Sequence, residues 1–235
     1  MRYPVTIHEF DGIRVVRDDL IEGGSKRRVL APLMEELRAQ HGHTEFVFGG
    51  PAEGYAQLAL AYAAREIGAD ATYFVAQRKT LHRNTIEAKA AGCQIAQVAH
   101  GRLNVVQARA RRYCEETGAY FFPLGFSTPE FEARLTAEIR EALTPLDLTE
   151  IWCVAGSGLL SRCLKTAVPQ AQVNAVRIGF EPRVGSANLF VAPEKFAEPA
   201  EIAPPFPSCT NYDAKAWRFI KQRASEGALF WNVGR

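Results

Sequence analysis

A lysine follows a pair of glycines in the segment Glu22-Gly23-Gly24-Ser25-Lys26-Arg27-Arg28. The glycines allow a sharp turn, and Ser25 is suited to cap a helix that carries Lys26 in its first turn. Two adjacent arginines and the positive end of that helix disfavour the protonated lysine, which predicts a lowered pKa. A lysine of this kind can form a Schiff base with a carbonyl compound. The alternative is a solvated basic patch at the start of a helix.

A glycine-rich turn, Ala155-Gly156-Ser157-Gly158-Leu159, follows a predicted buried strand and opens a predicted helix. Backbone N–H groups and the helix dipole make such a turn an anion site, and Ser157 adds a hydroxyl donor. The turn lacks the Lys-Ser/Thr pair of a Walker A loop. It therefore predicts phosphate binding, with an ordinary strand-to-helix turn as the alternative.

The segment Asn211-Tyr212-Asp213-Ala214-Lys215-Ala216-Trp217 holds a second lysine and an acid at a predicted helix start. Lys215 is a rival for the Schiff base, although a surface lysine is the more common interpretation of such a position. A role for Asp213 as an N-cap is enough to explain an aspartate in front of a helix.

Short apolar runs alternate with stretches of helical periodicity through most of the chain. Strands that alternate with helices of 10 to 15 residues indicate βαβ units and a parallel sheet, so the predicted fold class is α/β. Pro193–Pro207 has no periodicity and is predicted to be a long surface loop. The predicted strands are Glu45–Phe48, Ala71–Ala76, Gln94–Val98, Ile151–Ala155, Val173–Ile178 and Ala228–Val233, and the predicted helices are Tyr55–Glu66, Asn84–Ala91, Leu103–Glu116, a segment ending at Ala167, and Asp213–Gln222.

The composition is that of a globular protein with a sizeable core. The 235 residues are 47% hydrophobic and 23% charged, which excludes wholesale disorder. No apolar run is long enough for a bilayer span, and the charged N-terminal segment lacks the apolar centre of a secretion signal. The five cysteines form no CxxC pair, so reduced thiols and a cytoplasmic location are expected, without a metal site. The net charge of +2 neither requires nor excludes a nucleic-acid partner.

The order of these features resembles the pyridoxal 5′-phosphate enzymes of fold type II. The branch it resembles contains 1-aminocyclopropane-1-carboxylate deaminase and D-cysteine desulfhydrase, and the resemblance spans nearly the whole chain. The matching stretches are Arg17-Asp18-Asp19-Leu20 with Gly23-Gly24-Ser25-Lys26 (R-E-D-L … G-G-N-K in that branch), Phe48-Gly49-Gly50 (its next glycine pair), Phe122-Pro123-Leu124-Gly125-Phe126-Ser127-Thr128-Pro129 (P-x-G-G-S-N-P), Gly156-Ser157-Gly158 (its phosphate loop), Tyr212-Asp213-Ala214-Lys215-Ala216-Trp217 (Y-E/T-G-K-A/S-M) and Leu229-Phe230-Trp231-Asn232-Val233-Gly234 (its closing strand).

The resemblance implies two open, mostly parallel sheets flanked by helices, in a homodimer. It implies a larger cofactor-binding domain over residues 1–45 and 120–235 and a smaller inserted domain over residues 46–119. Lys26 would hold pyridoxal phosphate as the internal aldimine and move a proton, and Tyr212 would stand beside the ring. Asp213 would face the pyridine nitrogen, where an anion keeps that nitrogen protonated so that the ring can accept an electron pair. The phosphate would be held by Gly156, Ser157, Gly158 and Leu159.

One stretch departs from the family pattern. After its glycine pair the branch uses Ser-Asn-Gln to clamp the carboxylate of a free amino acid, whereas this chain has Glu53-Gly54-Tyr55. A negative Glu53 would repel a substrate carboxylate unless that group is the one that leaves. We therefore expect Glu53 to act in catalysis on a changed substrate.

The favoured function is cleavage of a bond at Cα of an amino-acid moiety, with decarboxylation as the specific reaction. Compact chains of this kind resemble enzymes of bacteriophage thymidine hypermodification, which implies an amino acid attached to a base in DNA. A set of basic residues could follow its phosphates, although a solvated helix face is an equal interpretation of them. The alternatives are a deaminase or desulfhydrase of a small free amino acid and a binding subunit without catalysis. The basic residues are Arg78, Lys79, Arg83, Arg102, Arg109, Arg111 and Arg112.

Overall fold

A computed structural model describes residues 3–99 and 101–235, and it divides the chain into two compact units. The discontinuous unit comprises Met1–Ile21 and Glu132–Arg235, and the inserted unit comprises Glu22–Phe131. These boundaries differ from the predicted ones, which assigned residues 22–45 and 120–131 to the larger domain. The helix that follows Lys26 packs on the next helix of the inserted unit, and the strand that begins at Tyr120 pairs inside the inserted sheet.

The regular elements follow the chain as ten strands and seven α-helices in its described residues. The strands are β1 (Ile7–Phe10), β2 (Ile13–Arg17), β3 (Glu45–Gly49), β4 (Asp70–Ala76), β5 (Gln94–Val98), β6 (Tyr120–Phe122), β7 (Glu150–Ala155), β8 (Gln172–Arg177), β9 (Asn188–Val191) and β10 (Leu229–Asn232). The α-helices are α1 (Arg27–His41), α2 (Ala56–Ile67), α3 (Arg83–Ala90), α4 (Leu103–Thr117), α5 (Pro129–Leu143), α6 (Leu159–Ala167) and α7 (Trp217–Arg223).

The discontinuous unit is built on a six-stranded sheet of order β1-β2-β10-β7-β8-β9. Only β1 runs antiparallel, as the first strand of a hairpin with β2. The last strand, β10, lies in the interior of the sheet and pairs in parallel with both β2 and β7. An apolar cluster that includes Trp152, Trp217 and Phe230 packs against this sheet.

A buried polar network joins the end of β2 to β10. The guanidinium of Arg17 donates two hydrogen bonds of 2.8 Å to the carboxylate of Asp19. Asn232 donates to the same carboxylate at 2.9 Å, and the indole N–H of Trp231 donates to Asp18 at 3.0 Å. Because buried charges are stable only when paired, this network fixes the chain segment that leads from β2 towards Lys26.

The inserted unit has a fully parallel sheet of order β5-β4-β3-β6. Val47, Phe74, Val106 and Ala110 form a cluster between this sheet and α4. The helices α1, α2 and α3 pack in sequence, α1 on α2 and α2 on α3.

The α/β class and the predicted strands and helices are confirmed, with ends that differ by a few residues. The sequence reasoning did not assign the β1–β2 hairpin, β6, α5 or β9. The segment predicted as one helix from Asp213 is a 3-10 turn, Asp213–Ala216, followed by α7. None of the helices in the described residues is both long and apolar enough to cross a membrane.

Candidate functional site

The turn between β7 and α6 has a backbone that only glycine can adopt at one position. Gly158 has φ +84° and stands at the N-cap of α6, where it has no side chain of its own to cap the helix. A Cβ atom on Gly158 would collide with the backbone of Arg183, including its carbonyl oxygen. A side chain is therefore excluded at Gly158, where the turn packs directly against the backbone of Arg183.

Hydrogen bonds brace this turn against the loop that contains Arg183. The N–H of Arg183 donates to the carbonyl of Ser157 at 3.1 Å, and the hydroxyl of Ser161 donates to the carbonyl of Gly158 at 2.8 Å. Within the described residues, the N–H groups of Ser157 and Gly158 donate no hydrogen bond. Two backbone donors at the start of a nine-residue helix suit an anion.

Tyr212 contacts the same turn from the segment in front of α7. Its hydroxyl accepts a hydrogen bond of 2.8 Å from the N–H of Gly156. A Cβ atom on Gly156 would lie 2.9 Å from that hydroxyl oxygen, so the glycine is needed for this contact. Burial, and next the charge of Asp213, raise the pKa of Tyr212 well above its usual value, so its hydroxyl keeps a proton to donate.

Asp213 is a buried carboxylate, with 1% of its surface exposed. It is the first residue of the 3-10 turn rather than its N-cap, so capping does not explain it. No described residue donates a hydrogen bond to its Oδ1 atom, although other interactions hold the residue. Burial, with a further contribution from Asp213, raises the pKa of the Cys153 thiol on β7. Asp213 is therefore close to both Tyr212 and the strand that leads into the glycine turn.

The side chain of Lys215 has a structural role. Its ammonium group donates a hydrogen bond of 2.8 Å to the carbonyl of Lys195, and the side chain is almost fully buried. Burial lowers the pKa of Lys215. The contact ties the 3-10 turn to the long loop after β9, which argues against Lys215 as the Schiff-base lysine.

Lys26 belongs to the inserted unit, where it stands half-buried at the N-cap of α1. The helix begins one residue later than the sequence predicted, so Lys26 and not Ser25 occupies the capping position. Gly23 has φ +86°, and a Cβ atom there would lie 2.8 Å from Cα of Ala59 on α2. This close approach fixes the loop that carries Lys26 against α2.

The charge around Lys26 differs from the sequence-based expectation. Arg27 pairs with Glu66 at 3.1 Å and with Glu22 at 3.5 Å, so one of the two arginines expected to act on the lysine is compensated by carboxylates.

Glu53 also belongs to the inserted unit, and its carboxylate is not isolated. Arg78 pairs with it at 2.7 Å, and the side chain of Asn84 donates a hydrogen bond of 3.0 Å to its backbone carbonyl. The expected repulsion of a substrate carboxylate is therefore reduced by a guanidinium. Sequence reasoning had placed Arg78 only in a general basic set, because nothing in the chain order pairs it with Glu53.

The predicted site residues thus fall into two groups. Within the discontinuous unit the structure brings together the glycine turn, Tyr212 and Asp213, whereas Lys26 and Glu53 belong to the inserted unit. Sequence reasoning missed Arg183 as the residue that closes the turn, since it lies in a segment without a recognisable motif. It also missed the contact of Gly23 with α2, for which the glycine pair was the available signal.

Solved structures share this fold. The structure of an ACC deaminase homologue has a TM-score of 0.82 and 16% identity over 99% of this chain and 89% of its own. The structure of a T.th. threonine deaminase has a TM-score of 0.71 and 16% identity, with coverages of 100% and 92%. The O-acetylserine dependent cystathionine beta-synthase from Helicobacter pylori has a TM-score of 0.70 and 16% identity, with coverages of 98% and 92%.

The chain therefore has the fold type II architecture, as the sequence predicted. No protein-family model matches the sequence, and no curated protein matches it. The similarity to these structures lies in the tertiary fold. The sequence identity of 16% is too low to define the reaction, which depends on the residues of the site.

Proposed function

We propose that the protein is a pyridoxal 5′-phosphate-dependent lyase that breaks a bond at Cα of an amino-acid moiety. The observation that carries this proposal is the closed glycine turn at Gly156–Leu159 beside a buried aspartate in the same unit. A phosphate monoester and a protonated ring nitrogen are the two groups that such a turn and such a carboxylate are suited to bind.

Each of the proposed binding residues fits its part of the cofactor. Ser157 and Gly158 have backbone N–H groups available for the phosphate, and the start of α6 adds the favourable dipole. The hydroxyl of Ser157 accepts from the N–H of Leu159 at 3.4 Å and still has its own proton to donate. The N–H of Gly156 is not available to the phosphate, because it donates to the hydroxyl of Tyr212. Gly156 contributes instead by having no side chain at the turn. Asp213 would hold the ring nitrogen and keep it protonated.

Lys26 would attach the cofactor and afterwards remove or return a proton at Cα of the substrate. When bound, the cofactor supplies an electron sink for the pair left by the broken bond. Asp213 would strengthen that sink, because an anion beside the ring nitrogen favours its protonated form. Tyr212 would stand beside the ring as a hydrogen-bond donor, since burial and the charge of Asp213 raise its pKa and keep the hydroxyl protonated.

Our more specific proposal is decarboxylation of an amino acid attached to a thymidine-derived base in phage DNA. Its support is the replacement of the Ser-Asn-Gln clamp by a stretch that contains Glu53, together with the basic residues of the inserted unit. The second candidate is a deaminase or desulfhydrase of a small free amino acid. The Arg78 guanidinium next to Glu53 favours it, because a cation there can hold a free carboxylate. A homodimer, as the family resemblance implies, and a cytoplasmic location, as the cysteine pattern predicts, complete the proposal.

The first experiment is an absorbance titration of the purified protein with pyridoxal phosphate, followed by borohydride reduction and mass mapping. Wild type should develop a visible band and carry the reduced adduct on Lys26. Lys26→Ala should lose both band and adduct, whereas the matched control Lys215→Met should keep them. An adduct on Lys215, or no adduct in wild type, would overturn the proposal.

A second experiment separates the candidate reactions. The loaded enzyme is incubated with small free amino acids or with DNA that carries an amino acid on a thymidine-derived base, and carbon dioxide and ammonia are measured. Carbon dioxide from the DNA supports the specific proposal. Ammonia from a free amino acid supports the second candidate and removes the first.

A further inference from the structure

A cavity of about 630 Å³ opens at the carboxyl ends of β4 and β5 in the inserted unit. We name it the basic cleft and define it by its described lining residues, which include three cations and no carboxylate. These residues are Ala76, Gln77, Arg78, Lys79, Ala99, Gly101 and Arg102. The cationic side chains Arg78, Lys79 and Arg102 are all exposed to solvent.

Backbone contacts hold the two sides of the basic cleft at a fixed distance. The N–H of Gln77 donates to the carbonyl of Val98 at 2.9 Å, and the N–H of Arg78 donates to the side chain of Gln97 at 3.1 Å. Gly101 packs so closely that a Cβ atom there would lie 2.9 Å from Cα of Ala76. The backbone next to Arg78 and Arg102 is therefore held at the edge of the sheet.

The helix that begins at the basic cleft has an arginine at its N-cap. Arg102 is the N-cap of α4, a helix of 15 residues, and its side chain accepts no hydrogen bond from the first turn. The neighbouring α3 differs, because the ring of His82 accepts from the N–H of Asn84 at 3.2 Å. The start of α4 thus adds backbone donors and a positive dipole to the cationic side chains.

Two cations of the basic cleft are more available than two arginines of the predicted basic set on α4. Lys79 and Arg102 form no ion pair with a described residue, and only Arg78 has an acidic partner, Glu53. On α4, by contrast, Arg112 pairs with Glu116 at 2.7 Å and Arg111 lies 4.6 Å over the ring of Phe121. Lys79 and Arg102 are therefore available to an external anion, whereas Arg111 and Arg112 are engaged within the protein.

We propose that the basic cleft binds backbone phosphates of nucleic acid. Exposed cations hold a single phosphate weakly in water, but a polyanion gains from each contact by releasing counterions. The described lining contains no aromatic side chain for stacking on bases, so binding would not depend on sequence. This inference rests on the DNA-borne substrate under "Proposed function" and assigns its recognition to named residues.

The test is fluorescence anisotropy of a labelled DNA duplex with the protein in the absence of pyridoxal phosphate. The double variant Lys79→Gln/Arg102→Gln removes two cleft charges. The control Arg65→Gln/Lys89→Gln removes two exposed charges of the same unit that lie outside both the cleft and the predicted basic set. The cleft variant should lose at least about tenfold in affinity, and its slope of log K against log salt should shrink by about two. The control should stay within about twofold of wild type.

Equal losses in both double variants would show that net charge alone binds the DNA and would overturn the proposal, as would an unchanged cleft variant. Thermal unfolding curves of the two variants should coincide with wild type, so that loss of folding is not mistaken for loss of binding. The DNA-binding measurement does not depend on the cofactor. If the protein binds no pyridoxal phosphate, the proposed function fails, but DNA binding at the cleft can still be measured.

A competition experiment distinguishes a nucleic-acid site from a site for a small phosphorylated ligand. Inorganic phosphate and sodium chloride are added at equal ionic strength to the protein–DNA complex. Equal displacement by the two salts supports backbone binding. Markedly stronger displacement by phosphate would assign the cleft to a small phosphorylated ligand and overturn the proposal.

Discussion

The molecule offers an anion two environments that are opposite in construction. The Gly156–Leu159 turn uses backbone N–H groups and a helix start, and it is closed by contacts with Arg183 and Tyr212. The basic cleft uses exposed charged side chains in the segments that follow β4 and β5. A site made of dipoles binds through geometry, whereas a site made of solvated charges binds through counterion release. The glycine turn is suited to a single phosphate monoester, and the basic cleft to the successive phosphates of a nucleic-acid backbone.

The largest effect should come from a methyl group in the glycine turn. Gly158→Ala introduces a clash with the backbone of Arg183 at φ +84°, which we expect to cost about 3 kcal/mol of unfolding free energy. Affinity for pyridoxal phosphate should fall by more than about a hundredfold. Urea unfolding and the absorbance titration measure the two effects.

The control for this variant is Gly179→Ala, in the same unit at φ +80°. The nearest atom to its Cβ would be Cδ2 of Phe196 at 3.6 Å, an ordinary contact. We expect only the penalty of the left-handed backbone, about 1 kcal/mol, with cofactor affinity retained. Similar behaviour of the two variants would show that the clash at Gly158 has no special importance.

The next largest effect should be that of salt on ligand affinity, which should differ between the two environments. Between about 50 and about 200 mM salt, three phosphate contacts at the basic cleft predict a loss of about 40-fold in DNA affinity. Affinity for pyridoxal phosphate should change by less than about twofold, because fixed backbone donors release few counterions. A salt response of the same size for both ligands would remove the distinction between the two environments.

The smallest effect should come from one hydroxyl group. Tyr212→Phe leaves the N–H of Gly156 without its acceptor, which we expect to cost about 1 kcal/mol and to weaken cofactor binding about fivefold. Tyr62→Phe, which removes a hydroxyl bonded to Glu87 in the inserted unit, should leave cofactor affinity unchanged. Equal effects of the two variants on the absorbance titration would contradict a role for Tyr212 at the turn.

Much of the fold was predictable where apolar periodicity is strong and glycines mark the ends of elements. The elements from β3 to α4 and from β7 to β8 are of this kind. The missed helix α5 had a signal, since Phe131, Leu135, Ile139 and Leu143 recur every four residues and are buried. The unassigned β1–β2 hairpin also had a sequence signal, because Asp11-Gly12 is a preferred two-residue turn. Both residues have positive φ.

The candidate site was less predictable, because its decisive contacts are tertiary. The glycine turn and Asp213 were named from their local context, but the closure of the turn by Arg183 joins segments with no sequence pattern between them. The pairing of Glu53 with Arg78 changes the charge that a substrate would meet, and the spacing of the two residues does not reveal it. The compact units differ from the predicted domains for the same reason, since the packing of α1 on α2 is not visible in local periodicity.

The position of β10 inside its sheet has a consequence for folding during synthesis. The inserted unit, Glu22–Phe131, is continuous in sequence and can complete its sheet as soon as that segment has left the ribosome. The sheet of the discontinuous unit cannot, because Leu229–Asn232 must enter between β2 and β7. Until then β2 and β7 present unpaired edges, so the nascent protein passes through a stage in which one half is folded and the other is prone to aggregation.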